Sequence, residues 1–585
     1  MYISNVKISN YRNLRNIDVE LAQTVTIIGS NNSGKSNLLK AITLPFLADE
    51  IAYVGKNLTW FDINNSAKND YYQFLIDNKE SILTDKVTLE DFKKQIPKIK
   101  IEVNIIPKKK ELYYVKELGY EISEGNISYG LYYEFAPAND LDFYKAIKGV
   151  LMSEEINSKT VNELKLNLLP IELYKYSIGV PNRGSISYDI LKQFKYTSLM
   201  AERDEFSKSN EKLGSKSLVK ILQAKLKDGD KIEVEKEYSR FFDTLKKITN
   251  VDSLINWQEY SELENASDFF QKINILPNMP AVSSIFNSVR LGYDSENLSM
   301  QGLGHRNLIL LMVLINSLIE KDSDAVFNIL TVEEPEAHLC INNIRLVASF
   351  IKAITSKNGD LQLFYSTHNT ELIDKLKLKN VILMSGGNAY SIKAEFNDEE
   401  INYLSKNPNL DLFKLFYAKK CILVEGLTEE LFIRSYLDSK KELNDIEVIS
   451  FHKGFKRIID LWLKINSGSS NRLGIVRDYD DEPAAKKEHE VYNKYPEVCV
   501  KTTRAYTLEP EIVNTNGNYE ILKEKYGEKF GWNILSKEQL SDDWRKNKSY
   551  AMLEICKDLS SGYLENLELP QHIQKIIDFM ITGKK

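Results

Sequence analysis

Val25-Thr-Ile-Ile-Gly29-Ser-Asn-Asn-Ser-Gly34-Lys35-Ser36 lies near the start of a 585-residue chain. Its Gly-x-x-x-x-Gly-Lys-Ser spacing follows an apolar, β-branched run and precedes a helical-looking Asn37–Ile42. That is the strand–loop–helix setting of a phosphate-binding loop. The glycines let backbone N–H groups turn inward on phosphates, and the helix N-terminus adds partial positive charge. Gly29, Asn31, Asn32, Ser33, Gly34 and Asn37 are therefore expected to line a nucleotide such as ATP. Lys35 would reach its β- and γ-phosphates, and the Ser36 hydroxyl would bind one Mg²⁺.

Such a loop needs an acidic strand end to help hold the metal. The next good candidate is distant: Phe327-Asn-Ile-Leu-Thr-Val332-Glu333-Glu334-Pro335. The gap predicts an ATPase fold that is interrupted by a large insertion and closed afterwards. Glu333 is placed to hold Mg²⁺ through water, and Glu334 to polarise an attacking water. Leu361–Tyr365 reads as another buried strand, and His368 just beyond it as a switch residue sensing the γ-phosphate. Before these, Ser299-Met-Gln-Gly302-Leu-Gly304 precedes the apolar helix Leu308–Ile319. A Ser/Gly signature at a helix start binds the γ-phosphate held by another subunit in ABC-type ATPases, so Ser299, Gly302 and Gly304 are candidate contacts in a dimer.

Length alone implies several cores, since domains run to about 150 residues. The expected division is an ATPase N-terminal lobe over 1–188 and a helical insertion over 189–272 that offers a dimerisation surface. An ATPase C-terminal lobe follows over 273–397, then a linker over 398–415 and a second α/β unit over 416–585. Strands are expected at Tyr2–Ile8, Ile17–Leu21, Lys98–Ile106 and Asn126–Phe135, forming an antiparallel sheet beside the nucleotide site. A net charge of −6 means that any nucleic-acid contact must be a local basic surface, and Lys93, Lys94, Lys98, Lys100 and Lys108–Lys110 are one candidate. The longest apolar run, Leu308–Ile315, is too short for a membrane span, and no signal-peptide pattern opens the chain. The scattered Cys340, Cys421, Cys499 and Cys556 have no metal-ligand spacing and read as reduced thiols of a bacterial cytoplasm, with no membrane partner.

The C-terminal unit carries a second set of acids. Cys421–Val424 ends in Glu425-Gly426, with Thr428 placed to cap a helix and Glu429 in its first turn. Ile446–Phe451, Phe455–Ile465 and Leu473–Val476 continue a β-α-β-α-β order, and the last strand delivers Arg477-Asp478-Tyr479-Asp480-Asp481. Open α/β sheets bind ligands at such C-terminal strand ends. After the strand Val498–Thr503, Glu509 adds another acid. Glu at one strand end with Asp-x-Asp at another resembles the Toprim pattern. Converging carboxylates without His or Cys imply Mg²⁺ or Mn²⁺. Two such ions roughly 3.5–4 Å apart activate a water and stabilise the leaving oxygen of a phosphodiester.

An SMC/RecF-like ATPase joined to a C-terminal Toprim unit resembles the OLD (overcoming lysogenisation defect) family of ATP-dependent endonucleases. Ile3-x-x-Val6…Tyr11-Arg-Asn-Leu14, Glu-Glu-Pro-Glu-Ala-His-Leu, Ser-Thr-His-Asn-Thr-Glu-Leu and Val-Glu-Gly-Leu-Thr-Glu-Glu carry the resemblance. It implies an ATP-regulated DNA endonuclease in antiphage defence, with Glu425, Glu429, Asp478, Asp480 and Glu509 holding the metals and Asp481 in reserve. Lys548, in Lys548-Ser-Tyr-Ala551, would steady the scissile phosphate. Relatives include the large subunit of Gabija systems, which works with a UvrD-like helicase. Others act beside a retron reverse transcriptase and its DNA–RNA product, so DNA, a second copy in a homodimer or tetramer, and one of these accessory proteins are the implied partners. The competing readings are an SMC/RecF-like ATP-gated DNA-binding repair factor without nuclease activity, a Toprim topoisomerase or a primase. The topoisomerase needs a tyrosine nucleophile in a separate domain, and the primase needs zinc-binding cysteines that are absent.

Overall fold

The computed structural model describes residues 1–48, 56–123, 125–157, 159–199, 217–222, 225–249, 291–319, 325–357, 361–369, 372–373, 377–406, 414–416, 418–440, 445–451, 455–479, 483–504 and 507–585. Alternation in the first strand, Tyr2–Tyr11, turns Ile3, Val6 and Ile8 into a core, and Tyr2–Tyr11 pairs antiparallel with both Leu14–Glu20 and Ile99–Ile106. Asn126–Pro137, Tyr174–Val180 and Gly184–Ser185 extend this antiparallel sheet, as the alternating patterns require.

The nucleotide-site sheet packs against it. Its order is Asn388–Ser391, Val381–Ser385, Thr24–Gly29, Leu361–Ser366, Phe327–Glu333, Phe194–Leu199 and Leu47–Ala48. Every pairing is parallel except that of Asn388–Ser391 with Val381–Ser385. Fully buried Gln362 stitches the two sheets together: Oε1 accepts from the Ile3 backbone at 2.7 Å, while Nε2 donates to Ile3 O and Ala22 O. A buried amide is tolerated there because its polar atoms are matched by backbone partners.

Two expected boundaries move. Phe194–Leu199, assigned to the helical insertion, is a sheet strand in register with Phe327–Val332, so the ATPase lobe extends at least to Leu199. Its β-branched and aromatic Phe-Lys-Tyr-Thr-Ser-Leu suits a pleated surface better than a helix. Within the insertion, Asp228–Thr249 is a helix as expected. The linker is also not loose, because Asp398–Lys406 is a helix that buries Ile401 and Leu404. Asn397 and Glu400 form a reciprocal capping pair at its start: Asn397 Oδ1 accepts from Glu400 N, and Glu400 Oε2 accepts from Asn397 N.

The C-terminal sheet is parallel throughout, in the order Ile446–Ser450, Lys420–Val424, Arg472–Arg477 and Val498–Thr502. Helices fill both faces, with Trp462 in one core and Trp532 and Trp544 in another. The Trp462 core includes Ile28 and Leu383 from the nucleotide-site sheet and Ile401 and Leu404 from the supposed linker. The two units therefore share packed apolar surface. Among the described residues no helix is long and apolar enough to cross a membrane.

Candidate functional site

The phosphate-binding loop leaves the sheet at Gly29, where φ is +154° and a Cβ would stand 2.4 Å from Met384 O. Only glycine suits that combination of backbone angle and close approach. The loop then feeds helix Lys35–Thr43, with Gly34 as its N-cap. Lys35 is 8% exposed and folds back on the loop, Nζ donating to Gly29 O and Ser30 O at 3.0 Å each. Burial holds its ammonium below the ordinary lysine range, and Glu334, Glu333 and Glu336 pull it back up. A buried cation among acids suits a trianionic phosphate tail.

The acids arrive by topology. Strand Leu361–Ser366 lies between the loop strand and Phe327–Glu333, and Glu333 is in register with Ser366. Ser36 Oγ donates to Glu333 Oε2 at 2.9 Å, so hydroxyl and carboxylate meet as a metal pair should. Glu334 adopts a left-handed φ of +45°, an uncommon angle for a residue with a side chain. Its N–H donates to Ser366 O at 3.0 Å, and its Oε1 stands 3.8 Å from His368 Nε2. Burial, then Lys35, push the His368 pKa down, while Glu334 raises it, so the ring is neutral near pH 7. Asn37 Oδ1 accepts from Arg12 Nη1 at 2.9 Å, and its amide donates to Asn13 Oδ1. Asn13 in turn donates to Asn32 O at 3.3 Å, while Asn31 is exposed and Ser33 buried.

Ser299 lies in a short turn, Leu298–Met300, and Gly302 just precedes helix Leu303–Ile319. Gly304 presses on the turn after Glu334: a Cβ there would stand 2.5 Å from His338 O. The sequence reading missed Glu336. Its Oε1 accepts from Thr367 Oγ1 at 2.5 Å and from His368 N at 3.1 Å, and burial raises its pKa. It ties the turn to the histidine strand. Arg12 and Asn13 were visible only as part of the opening motif, with no spacing rule to assign them.

In the C-terminal sheet, Lys420–Val424 has its successor Ile446–Ser450 on one side and Arg472–Arg477 on the other. The chain direction across the sheet reverses there, which opens a crevice at the strand C-termini. Glu425 and Asp478 end the two strands that flank it. Asp478 N donates to Glu425 Oε1 at 3.2 Å, and Arg477 Nε stands 3.6 Å from the same oxygen. Arg477 is 5% exposed and also contacts His489 Nδ1 at 2.9 Å. The sequence placed this arginine beside the acids but gave no hint that it pairs with Glu425. Tyr479 N donates to Thr503 Oγ1, fixing the turn against the next strand.

Glu429 is buried and folds back on Gly426, and Glu509 is fully buried, accepting from Thr507 Oγ1 at 2.7 Å. The expected cap differs: Gly426 is the helix N-cap, and Thr428 Oγ1 instead donates to Glu429 Oε2 at 3.2 Å. Asp480 and Asp481 lie outside the described residues, as does the Lys548 side chain, although Lys548 opens the helix Lys548–Ser560. That helix packs on Leu427–Ser439, the helix following Glu425, through Phe432, Ile433, Met552 and Ile555. Arg477 already brings one positive charge to Glu425, and the all-oxygen donor set of Glu429, Asp478 and Glu509 suits Mg²⁺ or Mn²⁺ in chemistry. Among the described residues, however, no group of three His, Cys, Asp or Glu is gathered to hold a metal.

The AAA ATPase domain family matches residues 1–373, well over half of the chain. The chain belongs to that family. An ATPase domain of this family implies ATP with a divalent metal such as Mg²⁺. The chain is also similar to endonuclease GajA of Bacillus cereus (strain HuB5-5), at 22% identity over 86% of this chain and 81% of that protein. Endonuclease GajA of Bacillus cereus (strain VD045) is 22% identical over 75% of this chain and 68% of its own length. These are relatives of the kind that the Glu333–Leu339 and Val424–Glu430 motifs implied. Among solved structures, an SMC head bound to the C-terminal winged-helix domain of ScpA overlaps 66% of this chain and 96% of its own. Its TM-score is 0.32 and its identity 14%, a likeness too loose to argue from.

Proposed function

We propose that this chain is an ATP-regulated, divalent-metal-dependent DNA endonuclease of the OLD type, acting in antiphage defence. The observation that carries the reading is the placement of Glu425 and Asp478 at neighbouring strand ends of a parallel sheet, at its reversal point. Similarity to endonuclease GajA over most of the chain supports it. In this reading Glu425, Glu429, Asp478, Asp480 and Glu509 hold two ions in a Toprim site. Divalent cations bound there supply an activated water and stabilise the leaving oxygen of a phosphodiester. Glu425 sets the approach of the acids, because it touches both the Asp478 backbone and Arg477. Lys548 steadies the scissile phosphate.

ATP regulates cutting from the other unit, since Lys35 and the P-loop belong to a separate sheet. Glu334 polarises a water there, with neutral His368 beside it. Ser299, Gly302 and Gly304 complete the γ-phosphate site of a second copy, which makes a homodimer, or a dimer of dimers, the working assembly. Light scattering should give at least twice the 67.4 kDa chain mass at micromolar concentration, and a monomer with and without ATP would refute this.

The competing reading is an ATP-gated DNA-binding repair factor without nuclease activity. Purified protein incubated with supercoiled plasmid and Mg²⁺ or Mn²⁺ decides between them. Nicked or linear product supports the nuclease, relaxed closed circles a topoisomerase, and unchanged DNA the binding factor.

A further inference from the structure

An unassigned cavity of about 660 Å³ opens beside the first residue of helix Lys548–Ser560. Phe530, Trp532 and Tyr550 supply aromatic surface, Arg545, Lys546 and Asn547 supply basic and amide groups, Asp543 adds a carboxylate, and Arg545 stands 3.6 Å from Asp542 at the rim. The rings form a connected run. Trp544 and Trp532 are buried with centroids 5.8 Å apart, Phe530 lies 4.8 Å from Trp532, and Tyr550 lies 5.7 Å from Phe530 at 83°. Trp532 is further fixed by donating Nε1–H to Asp543 Oδ2 at 2.9 Å. The run therefore starts in the core and ends at Tyr550, which is 61% exposed. An exposed tyrosine braced by the half-buried Phe530, itself packed on buried Trp532, loses little freedom when something stacks on it.

We propose that this cavity binds an unstacked nucleobase of a DNA strand whose phosphates lie along Arg545 and Lys546. Aromatic faces lined by cations are the chemistry by which proteins hold single-stranded nucleic acid, because every base has a π-face and every link a negative charge. Asn547 and Ser549 line the cavity on either side of Lys548 in the chain, so the base pocket adjoins the residue assigned to the scissile phosphate. The volume suits one nucleotide rather than a duplex, whose stacked bases present no free face. The inference rests on the nuclease reading only for the position of the cut, and it names a substrate feature: an unpaired or extruded nucleotide beside the cleaved bond.

The test uses the full chain and a short single-stranded oligonucleotide without self-complementarity, with the blunt-ended duplex of that strand and its complement as comparison. Fluorescence anisotropy is read before Mg²⁺ or Mn²⁺ is added, and cleavage of the same strands afterwards. Tyr550→Ala should weaken single-strand binding about ten-fold or more, Tyr550→Phe should hold it within about two-fold, and duplex binding should change little. Unaltered single-strand binding by Tyr550→Ala overturns the proposal. So does an equal loss on strand and duplex, which would make Tyr550 a support for the fold or a backbone contact. A wild-type protein that binds the strand in this Tyr550-dependent way but never cuts it removes the nuclease reading and leaves the base pocket standing.

Discussion

His572 lies at the wall of a second cleft, beside the edge strand Val498–Thr502, and is only 7% exposed. Burial pushes its pKa from the ordinary 6.5 down to about 4, with Glu511 pulling upward and Arg504 adding to the fall. Above the unfolded value the ring is neutral in both states and costs nothing. As pH drops through 6.5, the unfolded chain takes a proton that the folded chain refuses, so stability is lost until about pH 4. The full loss is at most about 3 kcal/mol, from 1.36 kcal/mol per pKa unit. Urea unfolding at neutral and mildly acid pH should show this slope in the wild type and a shallower one in His572→Phe. Identical slopes would mean that the ring takes up its proton in the folded state. Nothing in the sequence marked this histidine, because its depressed pKa comes from the packing of distant segments.

At the scale of elements, helix Leu303–Ile319 and the turn Pro335–Leu339 meet at Gly304 and His338 with no room for a methyl group. Gly304→Ala should push the helix start away from that turn, at an overpacking cost of about 1–3 kcal/mol. The signature would then be displaced while the P-loop stays whole, so ATP binding should survive and ATP hydrolysis should fall. Hydrolysis at the wild-type rate would place the signature outside the reaction. The P-loop and the Glu333-Glu334 strand end were legible in the sequence because each is a short local pattern with its own physical logic. Phe194–Leu199 was not, since six mixed residues in isolation do not show which sheet will accept them. The helix Asp398–Lys406 was hidden for a different reason: the Asn397/Glu400 capping pair was present, but the Asn407-Pro408-Asn409 run beside it read as a break.

For the whole molecule, the central feature is the apolar core shared by the two units. Ile28 belongs to the P-loop strand and Leu423 to the strand that ends at Glu425, and both enter one cluster with Leu404 and Trp462. Each strand was visible in the sequence; that they share a core was not, because contacts across hundreds of residues leave no local periodicity. In the proposed function, this shared core is where the nucleotide state would have to reach the acids. Leu404→Ala should cost about 2–5 kcal/mol and separate the thermal unfolding of the two units, which calorimetry would show as two transitions in place of one. A single unshifted transition would mean that Leu404 contributes nothing to the junction. The most direct test of the account is plasmid cleavage with Mg²⁺ or Mn²⁺ by wild type, Glu425→Ala and Asp478→Ala, run beside an ATP-binding assay on the same preparations. Positioning and charge neutralisation carry most of phosphodiester cleavage, so both variants should lose activity on the order of 10³-fold while binding ATP normally. Cutting at the wild-type rate by either variant would contradict the account and place the chemistry elsewhere in the chain.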